Sequence, residues 1–215
     1  MKIQHFLEII IVFLLVFPPL FVEPQSYTFS GYNWISICLQ LILSILIFFR
    51  VCKFTEIKLF SCFNLKTILF LILLFLILIA NALFWNFIAN KTGFANTASL
   101  NQKINIPFVM NILVGTFVAA FYEEIVYRVY LPSYTLSIIN KVNLSEKLQK
   151  NIQYFFEVLI VILFAISHSY AGLPAVMNAF FAGIVLRLYI IKKMGIIFIT
   201  IVHFLYNLLW LIKIF

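Results

Sequence analysis

The chain has 215 residues, of which 65% are hydrophobic and only 10% charged, with a mean hydropathy of +1.12. A soluble domain carries about 25% charged residues, so this composition excludes a water-facing globule and places the outer surface in lipid. The formal net charge of +8 raises nucleic acid as a partner. The Lys and Arg, however, stand between apolar runs, where they act as topology signals and anionic-lipid contacts, and no nucleic-acid partner is expected.

A spanning helix needs roughly 20 mostly apolar residues, and hydrocarbon offers no partner to backbone groups outside a helix. Seven runs qualify, at about 3–22, 33–50, 65–89, 105–131, 152–170, 174–191 and 195–213. The expected fold is therefore all-α, a polytopic bundle of about seven spanning helices. The first run reads as a retained helix, because Phe21-Val22-Glu23-Pro24-Gln25 offers no small-residue cleavage site. Pro18 and Pro19 kink or end it. Pro24, Pro107, Pro132 and Pro174 fall at run edges, where a missing N–H costs little. Cys38, Cys52 and Cys62 lack metal-ligand spacing and predict neither a disulfide nor a thiolate zinc site.

Basic residues alternate along the chain. Lys2, then Arg50, Lys53, Lys58 and Lys66, then Lys141, Lys147 and Lys150, then Lys192 and Lys193 mark one side; Lys91, Lys103 and Lys213 mark the other. That bias places the chain in the cell (inner or plasma) membrane with the N-terminus cytoplasmic and the C-terminus outside. The chain divides into residues 1–104, with three spans, and residues 105–215, with four. No internal repeat is visible.

Ionisable groups inside a span are costly, so each needs a reason. They are Glu123, Glu124, Arg128, Glu157, His168, Arg187 and His203, with Asn178 and Asn207 as uncharged companions. In Glu123-Glu124-Ile125-Val126-Tyr127-Arg128, helical spacing puts Glu124 and Arg128 on one face as an i, i+4 pair. Glu123 points about 100° away from Glu124, free for another task such as general-base work. A buried ionic cluster that only ties helices together stays open on these residues alone. His168 ends the fifth run, and His203 and Asn207 share a face of the seventh. A carboxylate, two imidazoles and an amide on separate spans form a set that a merely structural bundle has little reason to assemble.

Glu-Glu-x-x-x-Arg, Phe164-x-x-x-His168 and His203-x-x-x-Asn207, in that order on successive helices, resemble the CPBP family of CAAX proteases and bacteriocin-processing proteins. The likeness covers roughly residues 105–211. Gly183 and the Lys192-Lys193-Met194-Gly195 approach to His203 add to it. Two features depart from the pattern. The Glu123–His168 spacing is long, through a polar insert at 140–151, and Arg187 stands where a small residue is expected. Either the sixth helix packs differently there or Arg187 snorkels toward the Lys192 side.

The resemblance implies peptide-bond hydrolysis in the membrane, on a membrane-associated peptide or protein. Glu123 and His168 would activate a water, His203 and Asn207 would hold the oxyanion, and Glu124–Arg128 would support Glu123. No cofactor is favoured, but zinc on Glu123, His168 and His203 stays open. A non-catalytic bacteriocin-immunity or peptide-binding protein is the alternative. A transporter using Glu123 as a proton site would be expected to show a repeat. Glu123 and His203 each lie eight residues from their cytoplasmic run ends, roughly 12 Å deep, whereas His168 falls at the far end of its own run.

Overall fold

The computed structural model describes residues 28–29, 31–52, 59–60, 62–93, 99–100, 105–192 and 194–211. The first predicted run, with Pro18, Pro19 and Pro24, lies outside them, as do Lys2, Lys53, Lys58, Lys103, Lys193 and Lys213. Its helices are α1 (Trp34–Cys52), α2 (Leu65–Thr92), α3 (Ile106–Glu123), α4 (Leu131–Ile139), α5 (Glu146–Ile166), α6 (Leu173–Ile191) and α7 (Ile196–Leu211). A seven-residue π-helical segment, Glu124–Tyr130, joins α3 to α4 without a break. Two short strands, β1 (Thr28–Phe29) and β2 (Ser99–Leu100), pair in parallel.

Among the described residues, five helical runs are long and apolar enough to cross a membrane: α1, α2, the continuous run Ile106–Ile139, α5 and α6. The apolar α7 has 16 residues and is about 24 Å long. Large apolar side chains such as Leu46, Phe49, Leu69, Phe84 and Phe155 face outward, a surface that suits hydrocarbon rather than water. The chain is a multi-pass membrane protein built as a helical bundle.

Local signals set the helix starts. Asn64 accepts from the Thr67 N–H at 2.9 Å, and Asn105 from the Phe108 N–H at 2.9 Å, each satisfying one orphan donor of the first turn. Pro107 and Pro174 sit in the first turns of α3 and α6, as expected. Gly93, at φ 76°, closes α2 in the left-handed conformation that glycine adopts without strain.

Three predicted boundaries change. The run expected at 105–131 continues helically to Ile139, so Pro132 lies inside a helix and not at its edge. The run expected at 152–170 spans Glu146–Ile166. The later part of the supposed polar insert is thus its first turn and a half, because Glu, Lys, Leu and Gln are good helix formers wherever the polar side can stay wet. At the other end, Ser167 Oγ and His168 Nδ1 both turn back onto the Phe164 carbonyl, at 2.7 and 2.9 Å. Side-chain bonds of this kind compete with further helix, and Gly172, at φ 88°, completes the break before Pro174.

In the interior, α1 packs on α3 and on the π-helical segment, α2 on α6 and α7, α3 on α7, and α5 on α6. All seven residues of the π-helical segment are buried, and Ile125, Val126 and Val129 have no exposed surface. The widest turn of the helix therefore lies at the centre of the core.

Candidate active site

Glu123 is the last residue of α3 and Glu124 the first of the π-helical segment, and the two differ sharply in surroundings. Glu124 is fully buried. Its Oε1 takes a hydrogen bond from His203 Nδ1 at 2.8 Å, and its Oε2 stands 3.7 Å from Arg128 Nε. The expected Glu124–Arg128 pair is present, but His203 is a second partner that spacing could not reveal. Glu123 keeps 23% of its side chain exposed. Its Oε2 is 3.7 Å from His203 Nε2 and is hydrogen-bonded to no protein group among the described residues. The imidazole of His203 thus bridges the two carboxylates.

Arg128 is buried, with its guanidinium carbon 3.7 Å above the Phe164 ring. Phe164 in turn offers its ring edge to His168, 4.7 Å between centroids. The bond from His168 Nδ1–H to the Phe164 carbonyl leaves Nε2 as the acceptor nitrogen in the neutral ring. So the Phe-x-x-x-His spacing has a local reason: one phenylalanine supports the arginine and aligns the histidine. His168 sits in the turn beyond α5, just before a single 3₁₀ turn at Ser169–Ala171.

Glu123, His168, His203 and Asn207 all line one cavity of about 300 Å³. Ala175, Ala179 and Ala182 form its α6 wall, and their small side chains leave the space open. Sequence reasoning missed its hydroxyl-bearing aromatic wall, which includes Tyr32, Tyr122, Tyr127 and Tyr206. The signal available was the placing of Tyr206 between His203 and Asn207. It also missed Asn81 on α2, whose Nδ2 donates to Asn178 Oδ1 at 2.6 Å and to the Asn178 carbonyl at 2.9 Å. Asn178 Nδ2 donates onward to Tyr206 Oη at 2.5 Å.

Arg187 does not snorkel toward Lys192. It forms a two-pronged ion pair with Glu157 on α5, Nε to Oε2 at 2.8 Å and Nη2 to Oε1 at 2.5 Å. This second polar cluster lines a separate small pocket with Arg128 and Phe164.

Can the cavity hold a metal? Among the described residues, no three His, Cys, Asp or Glu side chains converge as a metal-binding group. His203 Nδ1 faces Glu124 and His168 Nδ1 a carbonyl, which leaves each ring its Nε2. Glu123, His168 and His203 line the cavity without being drawn together as such a group.

Residues 105–209 match the family model described as type II CAAX prenyl endopeptidase Rce1-like. The match covers 105 of the 215 residues and is a likeness of that segment to the family. The segment contains Glu123, Glu124, Arg128, Phe164, His168, His203 and Asn207, so the match and the cavity fall on the same part of the chain. No curated protein and no solved structure matches the chain significantly. The family model is one of CAAX prenyl endopeptidases.

Proposed function

We propose that the chain is a membrane endopeptidase in which Glu123 activates the water that cleaves the peptide bond. The observation that carries this reading is the contrast between the two carboxylates. Glu124 is fully buried against Arg128 and His203, whereas the Glu123 side chain is 23% exposed and lines the cavity. A base needs a carboxylate that water can reach.

In this mechanism His168 accepts one water proton as a hydrogen bond at Nε2, and Glu123 removes the other. The resulting hydroxide oxygen bonds to the scissile carbonyl carbon, whose oxygen takes the electron pair. Asn207 Nδ2 donates to that oxyanion. His203 donates from Nε2, which requires a proton on both ring nitrogens; Glu124 lies against Nδ1 to balance that charge. Glu123 then returns its proton to the departing amine as the C–N bond breaks. No step passes through a metal or a nucleophilic Ser or Cys.

The proposed substrate is a membrane-associated peptide or protein that reaches the cavity from the lipid. The test is Glu123→Gln, which keeps shape and hydrogen bonding but removes the base. Membrane proteomes of cells with wild-type or Glu123→Gln protein should differ in one or a few cleaved products. Identical products in both would remove Glu123 from the mechanism.

A further inference from the structure

The helix that carries both glutamates has a proline where an α-helix would use an N–H. Residue 132 stands four positions after Arg128, and Pro132 has no N–H for the Arg128 carbonyl; a proline ring also crowds the carbonyl of residue i−4. The chain widens into its π-helical turn here, Glu124–Tyr130, as helices do where the regular ladder is interrupted. From α6, Arg187 Nη1 donates to that carbonyl at 2.6 Å. The rest of its guanidinium is held by the two bonds to Glu157.

Two ionisable groups in spanning helices carry a cost. A tie between α5 and α6 would be complete with the two-pronged carboxylate pair. The third bond goes to a different helix, and to the backbone of the turn that Pro132 leaves short of a donor. The path onward is short. The Arg128 side chain lies between Phe164 and Glu124, and Glu124 fixes His203 with Nε2 toward Glu123.

We infer that Arg187, braced by Glu157, is a positioning residue: it fixes the Arg128 peptide and with it the wide turn that sets Glu123 and Glu124 against His203. Its effect on cleavage rests on the reading of Glu123 as base, but its effect on the turn does not.

The experiment uses the full chain in detergent, with Arg187→Lys, Pro132→Ala and the double variant. Lysine keeps the charge opposite Glu157 and protects the fold, but it cannot fork between a carboxylate and a carbonyl. Hydrogen exchange is read by mass spectrometry on peptides covering 124–131. Arg187→Lys should speed exchange there roughly tenfold, the loss expected from one charged hydrogen bond, and leave α2 unchanged. In the Pro132→Ala background the effect should vanish, because alanine at that position supplies its own N–H to the Arg128 carbonyl.

Cleavage is read on a quenched-fluorophore peptide ending in a prenylated cysteine and three further residues. Here kcat should fall by up to about 100-fold with KM little changed, as misplacement of reacting groups does. Unchanged exchange, an equal rise in both backgrounds, or a looser turn with unchanged kcat would each overturn the inference. If Glu123→Gln cleaves as fast as wild type while Arg187→Lys loosens the turn and slows cleavage, Glu123 loses its role and Arg187 keeps its own. If wild type does not cleave this peptide, the exchange comparison decides alone.

Discussion

Adjacent glutamates with different neighbours should fail differently when changed. Glu123→Gln should abolish cleavage with little loss of folded protein, since that side chain meets the cavity and no protein hydrogen bond depends on its free oxygen. Glu124→Gln removes the charge opposite both Arg128 and His203, all buried. Breaking a buried pair typically costs about 3–5 kcal/mol, so yield and melting temperature in detergent should drop for this variant. Asn207→Ala should lower kcat by roughly 10²–10³ with a modest change in KM, as loss of one oxyanion donor does; a pure KM effect in steady-state assays would reassign it to binding. The Glu124–Arg128 pair was legible in the sequence because i, i+4 geometry is local. The His203–Glu124 bond was not. Its partners are 79 residues apart, and which of two glutamates the imidazole meets is decided by how α7 lies against the wide turn.

Among elements, helix types and most boundaries followed from apolar run length. What escaped was the wide π-helical turn, although its signal, Pro132 four residues after Arg128, was in plain view. A proline at the end of an apolar run reads equally as a stop, and only packing on both sides shows that the helix goes on to Ile139. His168 escaped its predicted helix for a similar reason: side-chain competition for the Phe164 carbonyl ends α5 early. The segment before α1 is equally specific. The Tyr32 N–H and carbonyl both bond the Asn111 carboxamide, at 2.7 and 2.9 Å, and the Tyr32 ring fills the space above Gly115. A Cβ on Gly115 would overlap Cδ2 and Cγ of that ring. Gly115→Ala should therefore displace Tyr32 from the cavity wall and destabilise the fold by about 1–3 kcal/mol, the usual cost of overpacking. A lowered melting temperature with altered KM would show both effects; an unchanged melting temperature would mean that Tyr32 yields freely.

For the whole molecule, composition alone was enough to place it in a membrane, and the motif set was enough to point at the family segment. Orientation follows from charge bias and is open to direct measurement. Reporter fusions after Lys150 should read cytoplasmic, and fusions after Phe215 external. A cytoplasmic C-terminus would require an even number of crossings and reverse the topology. Metal content is a property of the whole protein as well. Active, purified protein should contain less than one zinc per chain and survive prolonged chelation. One tightly bound zinc lost together with activity would replace the water-glutamate mechanism with a metal one.

The cavity is not walled by the family segment alone. Tyr32 and Gln40 close it from the N-terminal side, Asn81 holds Asn178 from α2, and Tyr32 satisfies the buried Asn111 of α3. Residues 105–209 are consequently no portable module. Cut free or grafted behind foreign spans, they would leave Asn111 without Tyr32 and Asn178 Oδ1 without its Asn81 donor, in a medium that supplies none. Transplanting residues 105–209 between relatives should succeed only when a tyrosine equivalent to Tyr32 and an asparagine equivalent to Asn81 travel with them.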